Sequence, residues 1–233
     1  MQVHGELNIV KNMQPNVRKK TGLKMVPGFS LVELIVVMAI ALILAVSVVS
    51  MFSGVANKLK GEAFALRGDL NLARAEAVNR NTNVLVKFVF NVGANSQDGY
   101  SICVDVNASN VCGDVVATVP DIVIKDVLFA KEVQFYDTTG GTISGGPDTS
   151  PNGTANNLVN NDGITFSSAG TPVDYFYMQP DGTVLGLGGT VVIYAPKAGT
   201  PPTAMAAEPY AVVVANTGRV RLERWRGSIW KTK

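Results

Sequence analysis

The chain has 233 residues, a net charge of +2 and one histidine, His4. That is room for one good-sized domain plus a membrane segment, and the near balance of charge means that nucleic-acid contact would need a local basic patch. With its only imidazole at the N-terminus, the chain lacks the residues for Ser-His-Asp, Cys-His and most zinc chemistry, and no glycine-rich phosphate loop precedes a helix. No enzyme, metal or cofactor is expected.

The chain opens on a basic stretch, with Lys11, Arg18, Lys19, Lys20 and Lys24 opposed only by Glu6. From Leu34 to Phe52 no charge follows, and only Ser47 and Ser50 are polar. At ~1.5 Å per residue such a helix spans roughly 28 Å, close to a hydrocarbon core of ~30 Å. A basic flank before an apolar run places the N-terminal side in the cytoplasm and the C-terminal side beyond the membrane. The run flows into a patterned helix and is longer than an ordinary signal core, so it reads as an anchor rather than a secretory signal. Glu33, at its upstream edge, is costly in lipid unless it is paired or reaches the headgroups.

The helical pattern continues past Phe52, and no proline interrupts it. Leu59, Ala63, Leu66, Leu70, Ala73 and Ala77 recur at spacings of four and three, which makes one apolar stripe suited to lying on a sheet. Lys58 with Glu62, and Glu76 with Arg80, are placed to pair one turn apart. The spacing predicts one long helix ending near Asn79 to Asn81. Ser47, Gly54, Gly61, Gly68 and Ala75 repeat every seven residues on the other side, where small residues allow close helix approach. Two readings stand: a packing face for neighbouring subunits, or coincidence.

From Thr82 the texture is β. "NVLVKFVF", "YSICVDV", "IVIKDVLF", "VQFYD", "GITFSS", "DYFYMQ", "TVVIYA" and "YAVVVA" are short branched and aromatic runs between Gly, Pro, Asn and Asp clusters. Without intervening helices they predict antiparallel sheets, hence an α+β fold. Residues 137–163 form a long polar loop, either a binding surface or a mobile segment. Beyond a membrane, Cys103 and Cys112 are expected to close a disulfide worth about 2–3 kcal/mol. The ring's Asp105, Asn107, Asn110 and Asp114 lack the Gly and bidentate Glu of a calcium loop and read as turn residues.

"GFSLVEL" ahead of the apolar run resembles the prepilin signature of type IV pilins and type II secretion pseudopilins. The resemblance implies that a prepilin peptidase cuts between Gly28 and Phe29 and N-methylates Phe29, leaving a cationic amine that Glu33 can meet, in its own chain or on the adjacent subunit. It divides the chain into a removed cytoplasmic leader 1–28, a helix 29–81 crossing the inner membrane at about 31–52, and a β-rich periplasmic head 82–233. The head would be extracellular within a pilus. The start could be Met1, Met13 or Met25. Ser50 stands where many major pilins carry a proline, which speaks against a major fibre subunit. "LNLARAEAVNRN" before a strand, "GITFSSAG" and "VVVANTGRVRLERW" resemble the GspH/FimT family. Family members are structural minor subunits in pilus or pseudopilus tips. The partners implied are prepilin peptidase, other pilins or pseudopilins, and the inner membrane.

The C-terminal "TGRVRLERWRGSIWKTK" offers a second reading. Arg219, Arg221, Arg224, Arg226, Lys231 and Lys233 cluster there with Trp225 and Trp230, a combination suited to phosphate contact and base stacking. As a strand it sets Arg219, Arg221 and Glu223 on one face after a turn at Gly218. Resemblance to DNA-capturing FimT-like pilins supports DNA as a partner. The alternative is a solvated edge strand whose charges discourage aggregation.

Overall fold

The computed structural model describes residues 30–52, 54–93, 96–114, 120–136, 147, 151, 163–168, 170–197 and 204–232, without the side chains of 45–52. Gly28, Phe29, Lys233, the leader and most of loop 137–163 lie outside the described residues. Contacts divide the chain into two compact units that part between Val46 and Ser47.

Helix α1 spans Leu31–Phe52, with Glu33 in its first turn. Every described side chain on it, from Leu31 to Leu44, is exposed. Among the described residues no helix is long and apolar enough to cross a membrane; on α1 the described side chains stop at Leu44.

Helix α2 spans Val55–Arg80 and belongs to the second unit, together with all the strands. The single helix expected over 29–81 is therefore two, because Gly54 takes extended backbone (φ −66°, ψ 140°) between them. Glycine gives up the most backbone entropy in a helix, so a break is cheapest there. At the other end Asn81 turns left-handed (φ 51°) and closes the helix, as the sequence suggests. All six stripe residues, Leu59 through Ala77, are fully buried. Gly61, Gly68 and Ala75 face solvent. Arg80 pairs with Glu76 at 2.6 Å as expected. Lys58 does not pair with Glu62. It reaches Glu132 at 2.8 Å, while Glu62 accepts the Ala130 N–H at 3.1 Å. A turn of the sheet lies within reach of both side chains and takes them from each other.

Strands β1 (Val84–Val92), β2 (Gln97–Val104), β3 (Ile122–Leu128) and β7 (Tyr175–Met178) form one antiparallel sheet in the order β3-β2-β1-β7. A second sheet, also antiparallel, runs β11-β10-β9-β8-β4. Its strands are β4 (Gln134–Phe135), β8 (Gly189–Pro196), β9 (Met205–Val214), β10 (Val220–Trp225) and β11 (Trp230–Thr232). A small hairpin pairs β5 (Ser167–Ser168) with β6 (Thr171–Pro172). Helix α2 lies against β1 and β7 of the first sheet and β8, β9 and β10 of the second. Period-two alternation explains the core: Val84, Val86 and Phe88 of β1, Tyr100 and Ile102 of β2, and Val212 and Val214 of β9 meet the helix stripe in one cluster. Where the sheets meet, Phe88 lies edge-on to Phe135 at 5.7 Å, and Phe166 stacks on Phe176 at 4.3 Å. Buried Asp98 closes that seam, accepting the N–H groups of Asn91 (3.0 Å) and Phe135 (2.9 Å). Those two donors would otherwise be orphaned where the strands end.

Candidate functional site

At the N-terminal end Glu33 is the only member of the processing motif within the described residues, and its side chain is exposed on the first turn of α1. A carboxylate there also suits the helix dipole.

Cys103 and Cys112 form the expected disulfide, with Cα atoms 5.7 Å apart. The ring between them is built from turn hydrogen bonds. Asp105 accepts the N–H groups of Ser109 (3.1 Å) and Asn110 (2.9 Å), and Asp121 accepts those of Val106 (3.0 Å) and Gly113 (3.2 Å). Tyr177 of β7 donates its hydroxyl to Asp105 at 2.5 Å and ties the ring to the outer side of the first sheet. Burial and then that bond push the Tyr177 phenol well above its usual range. Asp105 is thus occupied by ring backbone and by Tyr177, and Asp114 accepts the Asn107 side-chain amide at 2.8 Å. No metal-ligand cluster occurs among the described residues.

The C-terminal hairpin β10–β11 carries the basic residues, and the structure separates them. Arg219 and Arg226 are exposed. Arg221 lies 2.8 Å from Glu223, its neighbour on the same strand face. Arg224 lies 2.7 Å from Glu208 of β9 and 5.8 Å from the Tyr210 ring centre. Both are close ion pairs in which the N–H is not aimed along the contact. Trp225 is 7% exposed and packs edge-on against Trp230 at 5.3 Å. Two of the four candidate arginines therefore have carboxylate neighbours, and of the two candidate stacking residues Trp225 is buried and Trp230 half-buried.

Gly218, ahead of Arg219, adopts φ +72°, and a Cβ there would fall 1.8 Å from the Gly182 carbonyl oxygen. The Arg74 guanidinium of α2 packs against the same spot, 3.2 Å from that Cβ position. Only glycine permits the turn before β10 to close onto the β7–β8 turn and the helix.

One further set escapes a reading by motif. Asp69, on the buried side of α2, accepts the Tyr100 hydroxyl at 2.6 Å and pairs with Lys125 of β3 at 2.6 Å. Burial, then the bond to Asp69, push the Tyr100 phenol far above its usual range. A carboxylate flanking an apolar stripe is the signal that could have identified this latch.

The family described as Type II transport protein GspH matches residues 62–218, more than half of the chain. The prokaryotic N-terminal methylation motif matches residues 24–49, a span that contains Gly28, Phe29 and Glu33. Among solved structures, the chain is similar to the minor pseudopilin EpsH from the type 2 secretion system of Vibrio cholerae, at 12% identity over 71% of this chain and 95% of that one (TM-score 0.39). It is also similar to the type IV minor pilin FimU of Pseudomonas aeruginosa, at 16% identity over 75% and 93% (TM-score 0.40). No curated protein matches. By the extent of that first match, the chain belongs to the GspH family of type II transport proteins.

Proposed function

We propose that the protein is a structural minor pilin or pseudopilin, cut between Gly28 and Phe29, N-methylated on Phe29, and assembled through its N-terminal helix into a type II secretion pseudopilus or a type IV pilus. The observation that carries this reading is the methylation motif, residues 24–49, which runs into α1 and includes Glu33 in the helix's first turn. Supporting it, α1 is apolar on all sides and its described side chains are uncovered. A helix of that kind needs a lipid or protein surrounding. In that setting Glu33 would recruit a subunit offering a cationic N-terminus, because a lone buried charge is costlier than a paired one. The inner membrane anchors the protein before assembly, with the head in the periplasm.

The ion pairs of Arg221 and Arg224 and the burial of Trp225 favour this reading over DNA capture. Glu33→Ala is the test. The expected result is a chain still cleaved and still in the membrane fraction, but at least about tenfold depleted from isolated filaments, since breaking a buried pair costs several kcal/mol. Wild-type incorporation of the variant would contradict the pairing role.

A further inference from the structure

Beside the disulfide ring the head holds an open cleft of about 240 Å³, walled by Phe166, Val173, Tyr175 and Tyr177 and reached by Asn110 of the ring. Leu185 and Leu187 also line it, and they are 51% and 60% exposed. Pockets for drug-sized ligands run to roughly 300–1,000 Å³, so this smaller cleft suits a single side chain of a protein partner whose remainder covers the two leucines. No Lys or Arg lines it. Lys87 lies over the Tyr175 ring, 5.3 Å from its centre, without lining the cleft. Asp105, which accepts the Tyr177 hydroxyl, and Asp121 have backbone donors but no cationic partner among the described residues. Burial and the Asp105 bond dominate the upward shift of the Tyr177 phenol, and the charges of Asp105 and Asp121 add to it. An apolar side chain flanked by cations is therefore the complement of this wall.

The β10–β11 hairpin presents that chemistry. Its turn is closed by the Arg226 N–H on the Ile229 carbonyl at 3.0 Å, and Arg226, Gly227, Ser228 and Ile229 are all exposed. Arg224 is neutralised by Glu208, whereas Arg226 and Lys231 have no carboxylate partner among the described residues. The tip cannot fill the cleft of its own chain. Leu187 and Arg221 line one adjoining hollow of about 450 Å³, which puts the cleft's rim at the start of β10. From Arg221 to Arg226 the strand carries the chain roughly 17 Å away, at ~3.3 Å per residue.

We infer that the cleft receives the β10–β11 hairpin tip of a second copy of this chain, with Ile229 as the anchor and Arg226 and Lys231 turned towards Asp105 and Asp121. The two surfaces differ, so the contact is heterologous: the tip of one copy enters the cleft of the next. Each pair keeps one free tip and one free cleft, and the contact therefore joins two copies or extends along a filament. This goes beyond the helix-mediated assembly proposed above, because it supplies a contact between heads and gives the basic C-terminal segment a partner.

The test uses the full-length protein in its own cells, with a photoreactive benzoylphenylalanine at Ser228, which leaves Ile229 in place. Irradiation should give a product with the mass of two copies, its label mapped to the stretch Val173–Tyr177 or to Leu185–Leu187. Leu187→Asp and, separately, Arg226→Glu/Lys231→Glu, each with disulfide and secondary structure verified intact, should cut that product by about tenfold or more. No two-copy product, a label mapped away from the cleft, or an undiminished yield in either intact variant would overturn the inference. The assembly role would still stand if that chain entered filaments. Should the wild-type chain never enter filaments, the assembly role falls, and the two-copy product alone decides the inference.

Discussion

At the scale of single residues, the Asp69–Tyr100–Lys125 group is the most informative. It joins α2 to β2 and β3 through a buried carboxylate, and its parts come from three distant stretches of sequence. The unfolded chain ionises this phenol near its ordinary value of 10.0, whereas the folded chain holds it protonated. The stabilisation is therefore whole below pH 10 and is lost as pH climbs beyond it. Chemical unfolding against pH should show stability falling above about pH 10, with a shallower fall in Tyr100→Phe. At neutral pH that variant should lose about 1.5–3 kcal/mol, the worth of a hydrogen bond to a charged group. An unchanged alkaline slope would show that Tyr100 does not ionise with unfolding. Gly218 makes the complementary point. Its need for a left-handed turn is visible in "NTGRVR", but its contact with Gly182 and Arg74 depends on two turns meeting in space, which no local pattern announces.

At the scale of elements, what was legible followed period and composition. The α2 stripe could be read because six apolar positions repeat at helical spacing, and all six are buried. Eight strand-like runs were visible as branched and aromatic blocks, whereas β6 and β11 are too short to hold a periodic signal. The Arg224–Glu208 contact was not legible, since it depends on the register that pairs Arg224 with Tyr210 across β9 and β10. The break at Gly54 was missed because no proline accompanies it and one glycine is a weak stop signal. Gly61 and Gly68 have open space where a side chain would go. In the full-length chain Gly61→Leu/Gly68→Leu should therefore leave the fold intact, or raise its stability by up to about 2 kcal/mol, because each glycine costs ~1 kcal/mol within a helix. The same variant should fail to join filaments if this face is the one that packs, as read by co-purification. Normal co-purification would return the seven-residue repeat to coincidence.

At the scale of the molecule, the parts divide the work. Helix α2 and two antiparallel sheets make a head that folds around a main core and a smaller cluster at Tyr136 and Tyr194, reinforced by a disulfide ring and the Asp98 seam. The segment ahead of it carries the methylation motif and an apolar helix whose described side chains are uncovered. The candidate site was legible in the sequence as a linear signature, because the methylation motif is one continuous stretch, residues 24–49. The ion pairs that occupy Arg221 and Arg224 were not, because they belong to the folded head. On the proposed reading, a chain built this way would be completed by its neighbours and by the removal of its leader. The most direct measurement is the intact mass of the protein extracted from membranes. The account expects a chain that begins at Phe29 and carries one added methyl group. A membrane-extracted chain that retains residues 1–28 would contradict it.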